Sequence, residues 1–442
     1  MKFEISQIQE KISSNGGLTL IGKLFNRSQI KNVFKCIRTG KRKPVFSTAD
    51  IFLSYLGILA MGKSSYEAIG AFRKNKLFRK ALGIKEIASP ETIRQRFGEV
   101  ATSNSIRNLI SKANIAMLKH EEFGKVKTQY KDYIPLDVDV SPLDNSGTKK
   151  ERCSYTYKGY DGFAPIFAYI GSEGHMLNSE LRPGSQHCQL GTPEFLQECI
   201  EMTDSLGISD QILLRLDSGN DAADNFYVIH EKYKYIIKRN LRNESPEQWL
   251  ALAKRLGTAK KIREGKIRYT GTTSHKVPGN KGDLPAVEVV FEVTERSIDS
   301  NGNYLLIPEI DVNTYWTNLP DDADSIINLY HNHGKSEQFH SELKTDMDLE
   351  RLPANSLATN ELVLRLAMLS FNALKTIGID TAKLKELAPI KINVKRRRIK
   401  SILQDIIYSA CKYVESGGYH KVKFGYDCAW YPIISKLYQK YT

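Results

Sequence analysis

The stretch YIPLDVDV, residues 133–140, decides the fold. Side chains alternate across a strand, so Ile134, Leu136, Val138 and Val140 form one apolar face. Asp137 and Asp139 share the other. An apolar face implies a sheet packed against a core, and two acids on its reverse imply something there that uses charge.

The segments that follow extend this strand into a layered domain. FAPIFAYIG (163–171) and HMLNSELRPG (175–184) are predicted as the next two strands, with GSEG between them as a hairpin turn. TPEFLQECIEMTDSLG is predicted as a helix with Thr192 as its cap and Pro193 at the first helical position. QILLRLDSGN is an apolar strand that ends in Asp217 and a glycine-containing loop. DAADNFYVIHEKY is helical, and KYIIKRN is a strand whose end carries Lys238 and Arg239 as candidate DNA contacts. Three strands, helix, strand, helix, strand is an α/β order with a mixed sheet.

Upstream, residues 1–125 read as helical. STADIFLSYLGILAMG starts at a Ser47 or Thr48 cap, and SSYEAIGAFRKNKLFRKALGI at Ser64 or Ser65. SPETIRQRFGEV has Ser89 as N-cap, Pro90 at the first helical position, and Arg94 and Arg96 projecting toward a partner. A helix-turn-helix-like DNA-binding unit and a plain helical bundle both satisfy this pattern. RSQIKNVFKCIRTGKRKP adds a basic stretch. Downstream, AVEVVFEVTE, the DSNGN turn, YLLIPEI and NTYWTNLP suggest a β-rich insertion, residues 241–319, that returns to the main sheet near Trp316. The core is then expected over 126–240 and 320–380, with a basic C-terminal region over 381–442. In that region KINVKRRRIK offers Lys395, Arg396, Arg397 and Arg398 as phosphate contacts.

Composition narrows the partner. The 442 residues are 41% hydrophobic and 10% aromatic, as in a globular protein. Lys plus Arg is 64 against 50 acids, a net charge of +14 that points to a polyanion, nucleic acid first. IFLSYLGILAMG, the longest apolar candidate, is shorter than the ~18 residues of a membrane span, so no membrane partner is expected. The first residues lack an apolar signal-peptide core. The six cysteines show no C-x-x-C spacing, which favours reduced thiols in the cytoplasm.

One more segment joins the strand acids. YHNHGKSEQFHSELK, residues 330–344, is predicted as a helix. On it Tyr330, His333, Glu337, His340 and Lys344 fall within roughly 80° of one another. Phe339 and Leu343 point the opposite way. A solvated amphipathic helix fits this pattern. So does a zinc site on His333, Glu337 and His340, although the spacing is not H-E-x-x-H. Asp139 on the first strand, Asp217 at the end of the fourth and Glu337 on this helix form a third option. Strand ends gather ligands in open α/β sheets. Carboxylates without thiolates suit Mg²⁺ or Mn²⁺, and two such ions can clamp both oxygens of an in-line phosphoryl displacement.

These residues carry a resemblance. The sequence resembles the DDE transposases of bacterial insertion sequences, in the insertion-sequence-four superfamily and its thirteen-eighty group. That family's signature is Tyr, two residues, Arg, three residues, Glu, six residues, Lys; Tyr330, His333, Glu337 and Lys344 stand at those positions. LDVDVS resembles its first-aspartate strand, RLDSG its second, and YWTNLP also matches. His333 departs from the usual Arg and is a strong phosphate donor only when protonated. Lys335 is a partial substitute, about 160° away from Glu337 on an ideal helix. Asp139 is preferred as first acid because Ser141 follows it, with Asp137 as the alternative.

The resemblance implies an RNase H-like α/β core interrupted by a β-rich insertion, behind a helical DNA-binding region. It implies catalysis by Asp139, Asp217 and Glu337 with two Mg²⁺ ions, and phosphate contacts from Tyr330, His333, Lys335 and Lys344. The expected activity is cut-and-paste movement, with cleavage at terminal inverted repeats and 3′-hydroxyl joining to target DNA. The partners would be double-stranded DNA and a second copy of the chain in a synapse, in a bacterial cytoplasm at the nucleoid. A nuclease without joining and a non-catalytic DNA-binding descendant are the alternatives.

Overall fold

The computed structural model describes residues 2–7, 9–37, 45–280, 284–299 and 301–442. Residues 38–44 of the N-terminal basic stretch, Ser300 of the DSNGN turn and the side chain of Lys335 lie outside the described residues. In chain order, helices α1 (Leu18–Arg27), α2 (Thr48–Leu59), α3 (Pro90–Val100) and α4 (Asn104–Leu118) lead to strands β1 (Asp132–Val140), β2 (Ile166–Ile170) and β3 (His175–Glu180). Then come α5 (Thr192–Leu206), β4 (Ile212–Leu216), α6 (Ala223–Ile229), β5 (Lys234–Lys238) and α7 (Pro246–Leu256). Four long strands follow: β6 (Thr258–Arg263), β7 (Lys266–His275), β8 (Val287–Ile298) and β9 (Tyr304–Thr317). Helices α8 (Ala323–His331), α9 (Ser336–Ser341), α10 (Leu357–Lys383) and α11 (Tyr431–Lys440) follow, and shorter helices and strands lie between these elements.

The predicted α/β order builds one mixed sheet in the order β6-β7-β8-β9-β5-β4-β1-β2-β3. β1 runs antiparallel to β2 and parallel to β4, and β4 runs parallel to β5. The β2–β3 hairpin turns on Gly171 and Gly174, at φ 77° and 74°, where other residues are strained. A Cβ on Gly174 would also strike the Phe339 ring, so the turn is fitted to the helix above it. The strands expected as an insertion do not form a separate sheet. β9 joins β5 through Ile236↔Thr317 and Lys238↔Tyr315, and β6–β8 continue outward from it. YLLIPEI and NTYWTNLP are therefore parts of one strand.

Alternation decides which layer covers which face. Leu136, Val138, Leu214 and Leu216 pack with Phe195 and Leu196 of α5 and Phe226 of α6. The other face holds Phe167 and Tyr169, which share a cluster with Phe339, Leu343 and α10. Asp137 and Asp139 pair in register with Tyr169 and Phe167, so the acids lie on this second face.

The terminal regions are not independent of the core. Residues of α1–α4, α10 and α11 belong to one hydrophobic cluster, and all twelve residues of α2 are buried. Ile12 and Ser13 pair with Lys412 and Cys411. α10 has the length and hydropathy of a membrane span, which the sequence scan passed over, yet 94% of that window is buried inside the protein. Caps form as predicted at Ser47, Ser65 and Ser89, and Asp322 caps α8. Thr192 is not a cap: Gly191, at φ 78°, holds that place, and the Thr192 hydroxyl donates to the Cys188 carbonyl.

Candidate active site

Register brings the two strand acids together. β1 and β4 are parallel with Asp137↔Arg215 and Val138↔Leu216, so Asp139 and Asp217 are the next neighbours at the carboxyl ends of adjacent strands. Adjacent strands lie about 4.8 Å apart. Burial raises the Asp217 carboxyl, and the Asp139 charge raises it further. Burial also opposes the Asp139 carboxylate, but His340 and His333 outweigh it and hold that acid below its ordinary value. Asp139 Oδ1 accepts the Val140 N–H at 2.8 Å, and His340 Nε2 lies 3.2 Å from Oδ2. Asn220 donates to Asp217 Oδ1 at 2.6 Å. Burial raises the Tyr157 and Tyr330 phenols, and the charges of both acids add to the effect.

Asp137 has a different environment. Arg215 forks onto it, with Nε 2.6 Å from Oδ1 and the second guanidinium nitrogen 2.7 Å from Oδ2. The remaining Arg215 nitrogen donates to the Leu329 carbonyl at 2.7 Å, tying α8 to the sheet. His333 Nδ1 stands 3.0 Å from Asp137 Oδ1. Burial opposes the His333 imidazolium, and the charges of Asp137 and Asp139 overcome it, so its pKa is raised. Both Asp137 oxygens are thus engaged inside the fold, and Asp139 is the β1 acid that stands beside Asp217.

The 330–344 segment is not one helix. α8 ends at His331, a 3₁₀ turn covers Asn332–Lys335, α9 runs over Ser336–Ser341, and a π turn takes Glu342–Asp346. Gly334, worth about 1 kcal/mol less than Ala in a helix, sits at the break. Phe339 and Leu343 dock on the core as expected. His333 reaches Asp137 and His340 reaches Asp139, so the segment turns this side toward β1. Glu337 lies between them in sequence, in the first turn of α9, and is exposed. Among the described residues no three His, Cys, Asp or Glu side chains form a group that could hold a metal; the acid pair stands without Glu337 as a third member. Tyr330 packs on Tyr315, ring centroids 4.8 Å apart. Lys344 donates to the Pro142 carbonyl at 2.5 Å.

Most predicted phosphate contacts are occupied internally. Arg94 pairs with Glu67 and Glu91. Arg96 does not project outward: it is buried, donating to Thr48 Oγ1 at 2.8 Å and Glu99 at 3.1 Å. Arg239 pairs with Glu244 and lies over the Trp316 ring, while Lys238 is half-buried. The KRRR run is largely consumed as well. Arg396 pairs with the buried Glu342 at 2.6 Å, Arg397 with Asp405, and Arg398 with Asp346 at 2.8 Å. Lys395 is exposed. Sequence reasoning missed Arg215, Tyr157 and the contact of His340 with Asp139. A readable sign for Arg215 existed, because RLD places one charge in an apolar strand two residues before Asp217, as DVD places Asp137 before Asp139.

A family model matches residues 2–441, nearly the whole chain, and its class is the DDE transposases. The chain belongs to that family, described as transposase DDE domain group 1. Among solved structures, it is similar to a piggyBac transposase synaptic complex with hairpin DNA, at TM-score 0.44 and 11% identity, over 98% of this chain and 84% of that one. No curated protein matches it.

Proposed function

We propose that this transposase cleaves DNA at the terminal inverted repeats of its own mobile element and joins the freed 3′-hydroxyl to target DNA. In this reading it belongs to the bacterial insertion-sequence-four superfamily, thirteen-eighty group, and works as a dimer in the cytoplasm at the nucleoid. β1–β5 are its RNase H-like core and β6–β9 the insertion. The observation that carries the proposal is the Asp139–Asp217 pair, two acids set side by side by parallel register at strand ends.

The donor set fits a hard divalent cation: two carboxylates, one raised by the other's charge, beside a Cys188 thiol whose pKa burial and the Asp217 charge raise. Asp139 and Asp217 would hold Mg²⁺, or Mn²⁺ in its place, which supplies Lewis-acid stabilisation of phosphoryl transfer, and the resemblance assigns Glu337, which stands apart from the pair here, as the third acid of a two-ion site. Asp139 is assigned as first acid because Arg215 occupies both oxygens of Asp137. His340 orients Asp139. Arg215 and His333, through Asp137, fix the segment that carries Glu337. Tyr330 and Lys344 flank that segment and are assigned to the phosphates around the scissile bond.

The test is cleavage of DNA carrying the element's own ends, with Mg²⁺ and with EDTA, by wild type, Asp217→Ala and Glu337→Ala. Metal-dependent nicking at the ends, lost in both variants, is expected. Nicking that survives Asp217→Ala sinks the site. Cleavage without joining of pre-cut ends makes the protein a nuclease, and specific binding without cleavage makes it a non-catalytic descendant.

A further inference from the structure

The surplus of 14 positive charges must be displayed somewhere, and the run expected to display it is largely paired inside the fold. The C-terminal hairpin Cys411–Ser416 and Tyr419–Phe424 offers another surface. Its tip is Gly417–Gly418, both left-handed at φ 58° and 79°, as a two-residue hairpin turn requires. Cys411↔Phe424, Tyr413↔Val422 and Glu415↔His420 share one face. Cys411 is buried there, and Phe424 packs on the main core, so this face is the inner one.

The outer face carries Lys412↔Lys423, Val414↔Lys421 and Ser416↔Tyr419. Lys421 and Lys423 are exposed, and neither forms an ion pair among the described residues. Lys412 pairs with Glu10 at 2.7 Å. Tyr419 is 73% exposed at the tip. Like charges directly opposite one another destabilise a strand pair, so Lys412↔Lys423 costs the fold something that no internal contact of Lys423 returns. Lysines can protect an edge strand, but that role leaves the bare tyrosine at the tip unexplained. A polyanion accounts for both, and beyond the Ile12–Ser13 pairing at its base the hairpin is a two-stranded ribbon, a shape that fits the major groove of a duplex.

We propose that the outer face of this hairpin is a DNA-backbone contact, with Lys421 and Lys423 on phosphates and Tyr419 against the backbone at the tip. It rests on the transposase reading and adds a surface to it. The test uses the full chain and a labelled duplex of random sequence, with binding followed by anisotropy across a salt series. Each phosphate contact contributes about 0.9 to the slope of log K against log salt. K421Q/K423Q is expected to make the slope shallower by about 1.8, and K421R/K423R to retain it. An unchanged slope in K421Q/K423Q overturns the proposal while leaving wild-type DNA binding, and with it the proposed function, intact. Absence of salt-dependent duplex binding by wild type overturns both.

Discussion

Arg215 grips Asp137 through two bonds of 2.6 and 2.7 Å one pleat below the Asp139–Asp217 pair. The same face of β1 thus carries two acids with opposite tasks. One is neutralised and tied to α8, and the other stands beside a second carboxylate. Substitution should separate them. Asp137→Asn leaves the buried Arg215 without its counter-charge, a loss of about 3–5 kcal/mol for a broken buried pair. Asp139→Asn removes a charge that raises Asp217 but also the carboxylate that His340 and His333 hold below its ordinary value, so it should cost less stability than Asp137→Asn while abolishing cleavage. Denaturant midpoints and end-cleavage rates measured on both variants check this. A stable, inactive Asp137→Asn beside an active Asp139→Asn would reverse the assignment.

The internal use of the basic run makes a second prediction. Glu342 is buried between Lys375 and Arg396, each 2.6 Å away, and both cations lie over the Phe339 ring. Lys375→Met should cost about 3 kcal/mol, because it removes one of two partners of a buried carboxylate. Lys375→Met with Glu342→Leu should cost less than the two single changes together, and a double-mutant cycle in denaturant measures that coupling.

Arg396→Gln and Arg397→Gln should behave as core changes. Both should lower the denaturation midpoint and leave the salt slope of DNA binding at its wild-type value. A shallower slope at full stability would return these arginines to the phosphates.

The sheet was legible because alternation is local: YIPLDVDV, QILLRLDSGN and KYIIKRN each show their period in the sequence itself. The strand-end acids were legible for the same reason. What failed depends on partners distant in sequence. Nothing near Arg396 announces Glu342, 54 residues before it, so a run of cations reads as a set of phosphate contacts. Nothing in the 330–344 stretch states that His333 and His340 will each find a different acid of β1, which needs the register of a strand some 200 residues away. The break at Gly334 was visible as one glycine, but the apolar spacing of Phe339 and Leu343 favoured a continuous helix.

Acid should weaken the fold through His175. The imidazole is fully buried on β3, and burial, with the charges of Lys375 and Arg396 nearby, pushes its pKa down to about 3. Glu121, 3.8 Å from Nε2, does not rescue the charged form, because its own carboxyl is raised by burial. The folded pKa therefore lies below the ordinary value of about 6.5. Above about pH 6.5 neither state binds the proton, and this contribution to stability is complete. As pH falls from there toward about 3, the unfolded chain takes up a proton that the folded chain refuses. Stability then declines by about 1.4 kcal/mol per pH unit from this group alone. His175→Leu should make the acid limb of the stability curve shallower by one proton. Denaturant unfolding of both proteins at about pH 6.5 and about pH 4.5 measures the difference, and parallel limbs would mean that His175 is protonated in the folded chain.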